Sequence, residues 1–267
     1  MAKIGLVAGF GTLPITFARN AKAQGETVIG FGIKGVTDEG VAACVDKMHW
    51  LTWGSLQKAI LFATMDGVRQ VVLLGKITKS VVFEKQEALD PSAQKVLGKV
   101  GDKKDYALLK GVEGLLKKIG IAIIDPTPYL QELIPQSGVL TGRAPTAQEE
   151  GDIAYGKDVA RVAAGFDVGQ TVVVKDKTVI AIEAVEGTDE TLKRAGKLVH
   201  NGCVVVKMAR PEQDMRFDVP LVGIDTLKNL IAAKGTALAL EAGKTYLSDR
   251  AELIELADAN GIAIVAV

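Results

Sequence analysis

Cysteine and histidine are scarce in this chain, with two of each among its 267 residues. Cys44 and Cys203 lie far apart and form no CxxC or Cys/His pattern, so we expect small buried apolar residues of a reduced, cytosolic protein. His49 and His200 have no histidine, cysteine or acid at the spacing of metal ligands, so we expect structural roles for both. A Gly-x-Ser-x-Gly turn is also missing, so nothing indicates covalent catalysis by a serine or cysteine.

Long apolar runs and an excess of one charge are missing too. No apolar run reaches the length of about 18 residues that a membrane span needs, and we expect no signal peptide before the first strand. The chain has 32 basic and 32 acidic residues, and this zero net charge gives no support to a nucleic-acid partner. What the chain does have is 48% hydrophobic residues with only 5% aromatics, which is typical of a well-buried aliphatic core.

Strands and helices alternate through the first half of the chain. Short apolar runs predict strands at 3–8, 27–33, 70–74 and 121–124, and apolar residues at helical spacing predict helices at 13–23, 55–65 and 106–118. This alternation predicts an α/β fold with a Rossmann-like, doubly wound parallel sheet. Ligands of such sheets lie beyond the carboxyl ends of the strands, here residues 9–12, 75–76 and 125–127.

Proline and glycine in the middle of the chain predict a linker at 135–145, between an N-terminal domain at 1–134 and a C-terminal catalytic domain at 146–267. Thr146-Ala-Gln-Glu149 is a capping-box pattern that opens a helix through about Ala164. Further on, the pattern predicts a hairpin at 171–184, strands at 203–207, near 245 and at 262–267, and helices from about 189, 225 and 250. We therefore expect a second α/β domain with a mixed sheet.

A glycine-rich turn joins the first predicted strand to the first helix. Its glycines would let the backbone approach a phosphate, and the helix N-terminus would supply amide donors. The spacing begins as G-x-G-x-x-G at Gly9 and Gly11, but Pro14 replaces the third glycine and no acid closes the second strand. Classical NAD binding is therefore disfavoured, while contact with a nucleotide and plain turn chemistry both stay open.

Acids and bases recur in the predicted loops after residue 183. The acids are Glu186, Asp189, Asp214 and Asp218, and the bases are Lys207, Arg210 and Arg216. Carboxylates suit a hard cation and the bases suit phosphate oxygens, a combination typical of metal-assisted attack of water on phosphorus. Ion-paired surface loops are the alternative interpretation.

Four segments, in order, carry a resemblance to a known family. They are Gly-Leu-Val-Ala-Gly-Phe-Gly-Thr-Leu-Pro at 5–14, Lys-Asp-Tyr-Ala-Leu-Leu at 104–109, Glu-Ala-Val-Glu-Gly-Thr-Asp at 183–189, and residues 207–220, with their Gln-x-x-Arg-x-Asp-x-Pro pattern. Over essentially its whole length the chain resembles the metal-dependent, two-domain UDP-2,3-diacylglucosamine pyrophosphatases of lipid A biosynthesis. Relatives often carry Gly-Asp-Asp where this chain has Lys104-Asp105-Tyr106, which leaves one acid instead of two.

The resemblance implies hydrolysis of UDP-2,3-diacylglucosamine to UMP and 2,3-diacylglucosamine 1-phosphate, with Mg²⁺ or another divalent cation. By motif match, the family's essential aspartate falls on Asp218. We expect Asp218 to bind the metal or position water, with Glu186 and Asp189 as supporting catalytic residues. Asp225 lies outside the motif and ranks lower. The expected substrate-binding residues are Gly11, Thr12, Lys76, Asp105, Thr188, Lys207, Gln213 and Arg216.

The implied partner is a lipid-linked nucleotide sugar, met by a cytoplasmic protein in transient, peripheral contact with the inner membrane; a homo-oligomer stays open. Two other functions also stay open. A nicotinamide-dependent oxidoreductase would bind NAD(P)H at the glycine-rich turn. A non-catalytic nucleotide or lipid carrier would retain its ligand without hydrolysing it.

Overall fold

The computed structural model of the protein describes residues 3–76, 89–94 and 105–267, without the side chains of 105–108. The chain divides into two compact units. The first comprises Met1–Gln131 together with Met215–Asp218, and the second comprises Glu132–Asp214 together with Val219–Val267. Each unit is built around a sheet with helices, so the predicted α/β class is confirmed.

The first unit contains a five-stranded parallel sheet in the order β3-β2-β1-β4-β5. Its strands are β1 Lys3–Ala8, β2 Thr27–Ile33, β3 Lys47–Leu51, β4 Gln70–Leu74 and β5 Ala122–Ile123, and its helices are α1 Leu13–Ala23, α2 Leu56–Met65 and α3 Asp105–Lys118. The strand order reverses between β1 and β4, which is the topological switch point where ligands of doubly wound sheets bind. The predicted Rossmann-like sheet is therefore confirmed.

Helix α1 shows how closely local sequence sets this fold. Pro14 lies in its first turn, where the missing N–H costs nothing, so the helix can start directly after the glycine turn. Phe17, Ala18 and Ala21 are buried at helical spacing, as their pattern predicts.

The second unit contains a six-stranded mixed sheet in the order β6-β13-β11-β9-β7-β8, and the pair β10–β12. Its strands are β6 Gly138–Val139, β7 Thr171–Lys175, β8 Thr178–Ile182, β9 Cys203–Lys207, β10 Leu221–Val222, β11 Gly235–Leu240, β12 Tyr246–Leu247 and β13 Ala263–Ala266. Its helices are α4 Ala147–Gly165, α5 Thr188–Leu198, α6 Ile224–Ala232 and α7 Arg250–Ala259. Strands β9, β11 and β13 are parallel, whereas β7 runs antiparallel to both neighbours, so the predicted mixed sheet is confirmed.

The predicted capping box at the start of α4 is present. The Thr146 hydroxyl accepts from the Glu149 amide at 3.3 Å, and the Thr146 amide donates to the Glu149 carboxylate at 2.7 Å. Arg143 donates two hydrogen bonds of 2.8 Å to the same carboxylate. Burial opposes ionisation of Glu149, but these donors outweigh burial and lower its pKa to about 2.

Two expectations need correction. Strand β6 lies inside the segment predicted as a linker and joins the second sheet through β13. Cys203 is buried as expected, whereas Cys44 is only half-buried. His49 has an acidic neighbour that its sequence spacing does not indicate, because the end of α2 brings Asp66 to 2.5 Å from its Nε2.

The described helices include none that is both long enough and apolar enough to cross a membrane.

Candidate functional site

The carboxyl ends of β1 and β4 meet in a feature that we call the glycine rim, residues 9–12 with Gly75 and Lys76. Phe10 and Lys76 exchange two backbone hydrogen bonds of 2.9 Å. A Cβ atom on Gly9 would lie 2.8 Å from the carbonyl carbon of Gly75, which is closer than real side chains come. The rim therefore requires glycine at this position, because two backbones touch there.

The rim brings together three of the predicted binding residues, Gly11, Thr12 and Lys76. Gly11 has a φ of +106° and open space around its α-carbon, and Thr12 directly precedes α1. The ring of Phe10 between the two glycines is 60% exposed. A glycine turn at a helix N-terminus is an arrangement that can admit a phosphate close to the backbone.

The segment Met215–Asp218, which belongs to the first unit, carries the predicted essential acid. Phe217 is buried among the core residues of this unit, including Phe31 and Val71. Arg216 forms an ion pair with Glu113 of α3. Asp218 follows as an exposed residue with a φ of +44°, in the left-handed region. Within this segment, Arg216 and Phe217 contact other residues of the first unit, whereas Asp218 is exposed.

Asp105 is the first residue of α3, but its side chain lies outside the described part of the structure. Its expected role as a substrate ligand therefore stays a prediction.

In the second unit, the ends of β8 and β9 and the start of α5 meet at a group that we call the Lys207 cluster, which comprises Lys207, Glu183, Thr171 and Thr188. The Lys207 ammonium donates to the hydroxyls of Thr188 at 2.8 Å and Thr171 at 3.2 Å. It lies 4.0 Å from the Glu183 carboxylate, which also accepts from the Thr188 hydroxyl at 3.0 Å. Lys207 is only 5% exposed. Its ammonium is therefore directed at oxygens of the chain itself.

The charge state of Glu183 follows from these contacts. Burial raises the pKa of a carboxyl, but the nearby Lys207 charge and the hydroxyls of Thr171 and Thr188 outweigh it, so the pKa of Glu183 lies below its ordinary value. The cluster is thus a buried ion pair with its own donors. The arrangement fixes the first turn of α5 to the sheet, since Thr188 opens that helix.

The two predicted supporting acids also have partners within the second unit. Glu186 accepts from Arg194 at 2.8 Å and from the Thr191 hydroxyl at 3.2 Å, while Asp189 accepts from Asn229 of α6 at 3.1 Å. Burial opposes ionisation of Glu186, yet its hydrogen bonds, including the one to Arg194, lower its pKa. Glu186 thus lies beside α5 and is hydrogen-bonded to it, while Asp189 lies on α5 and is hydrogen-bonded to α6.

Gln213 orders the loop after β9. Its side-chain oxygen accepts from the Arg210 amide at 3.3 Å, and its side-chain nitrogen donates to the Asp214 carbonyl at 3.0 Å. Arg210 itself forms an ion pair of 2.5 Å with Asp167. Gln213 thus contacts the main chain on both sides of itself, whatever else it binds.

Among the residues that the structure describes, no group of three histidine, cysteine, aspartate or glutamate side chains could hold a metal ion. The described side chains thus offer no ready-made cage for a cation, and Asp218 as a metal ligand stays a prediction.

Two family models cover the chain in order: the LpxI N-terminal domain matches residues 3–133, and the LpxI C-terminal domain matches residues 136–265. The chain belongs to the LpxI family. The resemblance read from the sequence motifs is therefore confirmed. One LpxI relative, from Caulobacter vibrioides, carries the name UDP-2,3-diacylglucosamine pyrophosphatase. It is 29% identical over 282 residues, which cover 100% of this chain and 98% of the relative.

Likeness to solved structures is weak. N5-carboxyaminoimidazole ribonucleotide synthetase from Thermotoga maritima is 18% identical over 66% of this chain and 34% of its own, with a TM-score of 0.29. Pyruvate carboxylase from Rhizobium etli is 13% identical over 65% of this chain and 14% of its own, with a TM-score of 0.30. The chain spans about a third or less of the length of these two proteins, and the TM-scores are too low to indicate a shared fold.

Sequence reasoning missed the residues that hold the acid-bearing segment. Lys110 and Glu113 are an i,i+3 pair on α3, 3.0 Å apart, and pairs of this kind usually mark a solvated helix face. Phe217 offered a signal, because it is an aromatic residue between two charged ones in a chain with few aromatics.

Proposed function

We propose that this chain hydrolyses UDP-2,3-diacylglucosamine to UMP and 2,3-diacylglucosamine 1-phosphate, a step of lipid A biosynthesis. Membership of the LpxI family identifies it as a hydrolase that acts on the pyrophosphate bond of a nucleotide sugar. The observation that carries the proposal is the end-to-end match to a relative of that name, with both domain models in order.

We assign the central role to Asp218. Its carboxylate belongs to an exposed residue, and an acid in that position can orient a water molecule or hold a cation. Glu186 and Asp189 support the reaction through their positions on or beside α5. Polar donors near a pyrophosphate stabilise the charge that develops on its oxygens, typically by a few kcal/mol. We assign that role to Arg216 and Gln213.

The glycine rim would receive part of the nucleotide sugar, because Gly11, Thr12 and Lys76 lie together at the switch point of the first sheet. Lys207 and Thr188 contribute less directly. Their side chains hold each other and Glu183, so they shape the start of α5.

The cation is a further part of the proposal. Mg²⁺ is commonly held by one or two carboxylates together with the phosphates of a substrate, a mode in which Asp218 can be the chain's contribution. The ion would supply positive charge to the phosphate oxygens. We expect activity to disappear on chelation with EDTA and to return when Mg²⁺ is added in excess.

A substrate with two acyl chains resides in a membrane, so the protein would meet the inner membrane surface transiently, from the cytoplasm. Association with vesicles that contain the substrate, measured by flotation, tests this contact. Light scattering of the purified protein tests whether it forms a homo-oligomer.

Release of UMP is the deciding assay. Purified protein should convert UDP-2,3-diacylglucosamine in detergent micelles with Mg²⁺ to equal amounts of UMP and the monophosphorylated lipid. Absence of UMP across Mg²⁺, Mn²⁺ and Co²⁺ would refute the proposal. A carrier would instead retain the intact substrate, and an oxidoreductase would bind NAD(P)H with a change in its fluorescence.

A further inference from the structure

Phe217 anchors a short segment in the first unit. It is among the largest fully buried side chains of the described residues and is only 1% exposed. The chain before it, up to Asp214, and the chain after it, from Val219, belong to the second unit. Residues 215–218 therefore join the first unit here, and burial of one aromatic ring stabilises their place in it.

Two cations lie close to the anchoring ring. The Lys110 ammonium and the Arg216 guanidinium both lie 5.0 Å from the centroid of the Phe217 ring, within the range of cation–π attraction. Both cations contact the Glu113 carboxylate, Lys110 at 3.0 Å and Arg216 as an ion pair. Burial opposes ionisation of Glu113, but the two cations outweigh it and lower its pKa. One carboxylate thus joins helix α3 to the segment.

Asp218 follows the anchor directly and has a left-handed backbone with a φ of +44°. This conformation is unfavourable for a residue other than glycine, and it persists only where neighbouring contacts fix it. With Phe217 fixed in the core, the backbone enters Asp218 from a residue that cannot shift easily. The anchor therefore contributes to the position of Asp218.

We propose that Glu113, Lys110 and Phe217 are positioning residues for the Asp218 carboxylate. The Glu113 carboxylate holds the two cations, the cations and the core hold the Phe217 ring, and the ring fixes the left-handed turn that points the acid. This inference rests on the proposed role of Asp218 in hydrolysis. Its physical part, the anchoring of residues 215–218 by Glu113, does not depend on that role.

The test variant is Glu113→Gln, which keeps the shape of the side chain and removes the charge that both cations contact. The matched control is Asp46→Asn in the same unit. Asp46 is a partly exposed carboxylate that pairs with Lys22 at 3.0 Å and accepts from the Val28 amide, far in sequence from the anchor. Both variants lose one negative charge; Glu113→Gln loses the ion pairs with Lys110 and Arg216, whereas Asp46→Asn loses the one with Lys22, so the control reports the cost of removing a paired carboxylate elsewhere in the unit.

Two measurements on the full-length protein read out the two parts of the proposal. Hydrogen exchange of peptides that cover residues 215–218 should become faster in Glu113→Gln and stay at the parent rate in Asp46→Asn. The kcat for UMP release should fall about 10- to 100-fold in Glu113→Gln, since small displacements of a catalytic group have effects of this size, with KM unchanged. Asp46→Asn should keep the parent kcat.

A second variant, Phe217→Leu, removes the ring that both cations contact but keeps an apolar core residue. We expect faster exchange and a lower kcat in the same direction, now with a lower thermal midpoint. A fall in thermal midpoint alone, with kcat unchanged in the folded protein, is what a merely structural residue would give.

The outcomes separate cleanly. Unchanged exchange at residues 215–218 in both variants would overturn the anchor. Faster exchange with an unchanged kcat would overturn the positioning role. A parent protein that releases no UMP would overturn the proposed function, and the positioning role with it, while the exchange data would still decide whether Glu113 anchors the segment.

Discussion

Two carboxylates of the second unit contrast with Asp218 of the first. Glu149 is buried and the side chain of Glu183 is only 14% exposed, and each lies beside a cation and accepts hydrogen bonds from the surrounding chain. In the first unit, Asp218 is exposed at a left-handed residue that follows a buried anchor. A charged residue in a motif can thus stabilise the fold or be open to a ligand, and burial is one property that separates the two cases.

The energetic consequence follows from solvation. Removing one partner of a buried ion pair leaves an uncompensated charge, which is strongly destabilising. Neutralising an exposed carboxylate changes stability little but removes the charge that a ligand would meet. Substitutions of Glu149, Glu183 and Lys207 should therefore change the free energy of unfolding, and the substitution of Asp218 should change the rate of turnover.

The largest stability effect is expected for Lys207→Met. The buried Glu183 would lose its cation, and Thr171 and Thr188 would lose their donor, so the free energy of unfolding should fall by about 3–5 kcal/mol. Urea unfolding at neutral pH measures this loss. The double variant Lys207→Met with Glu183→Gln should recover much of it, because no buried charge is then left unpaired. An unchanged free energy of unfolding in the single variant would contradict a stabilising role for the ion pair of Lys207 and Glu183.

A somewhat smaller effect, dependent on pH, is expected at Glu149. Its pKa is about 2 in the folded protein against an ordinary value of 4.5, so the folded state binds fewer protons in this range. The stabilisation is complete above the ordinary pKa and disappears as the pH falls towards 2. Glu149→Gln should therefore cost about 3 kcal/mol at pH 7 and clearly less at pH 3. A loss that does not vary with pH would contradict the ion pair with Arg143.

The smallest effect concerns the glycine rim. Gly9→Ala would place a Cβ atom 2.8 Å from backbone atoms of Gly75 and Lys76, so we expect a loss of about 2 kcal/mol from overpacking. The control is Gly114→Ala on α3, where a Cβ meets nothing within 4 Å and helix propensity should raise stability by about 0.5–1 kcal/mol. The two substitutions should thus shift the thermal midpoint in opposite directions. Equal shifts of the thermal midpoint would show that the close backbone contact at Gly9 does not exclude a Cβ atom.

Local pattern was sufficient for much of the fold. The predicted bounds of β1, α1, β2, β4 and β9 agree with the structure, because buried apolar runs and helical spacing are properties of adjacent residues. Strand β11 was not predicted. Its sequence Gly-Thr-Ala-Leu-Ala-Leu consists mostly of residues with low strand propensity. It forms a strand because it pairs with β9 and β13 on either side.

The candidate site depended on contacts that no local pattern contains. Glu113 and Arg216 are 103 positions apart, and His49 meets Asp66 only because α2 returns to the sheet. We expect Lys207 to face a phosphate from its sequence context alone. In the structure it is buried, because it lies at the end of a central strand. Spacing in the sequence indicated which residues are chemically capable, while the fold decided which of them are paired.

The most direct test of the account is turnover by Asp218→Asn against Asp225→Asn. The first change is nearly isosteric and removes the charge of the exposed acid, so kcat for UMP release should fall about 100-fold or more, with the thermal midpoint close to the parent value. Asp225 lies in the first turn of α6 and should tolerate the same change with kcat near that of the parent. If Asp218→Asn keeps more than about a tenth of the activity, or if Asp225→Asn is equally damaged, Asp218 is not the central acid.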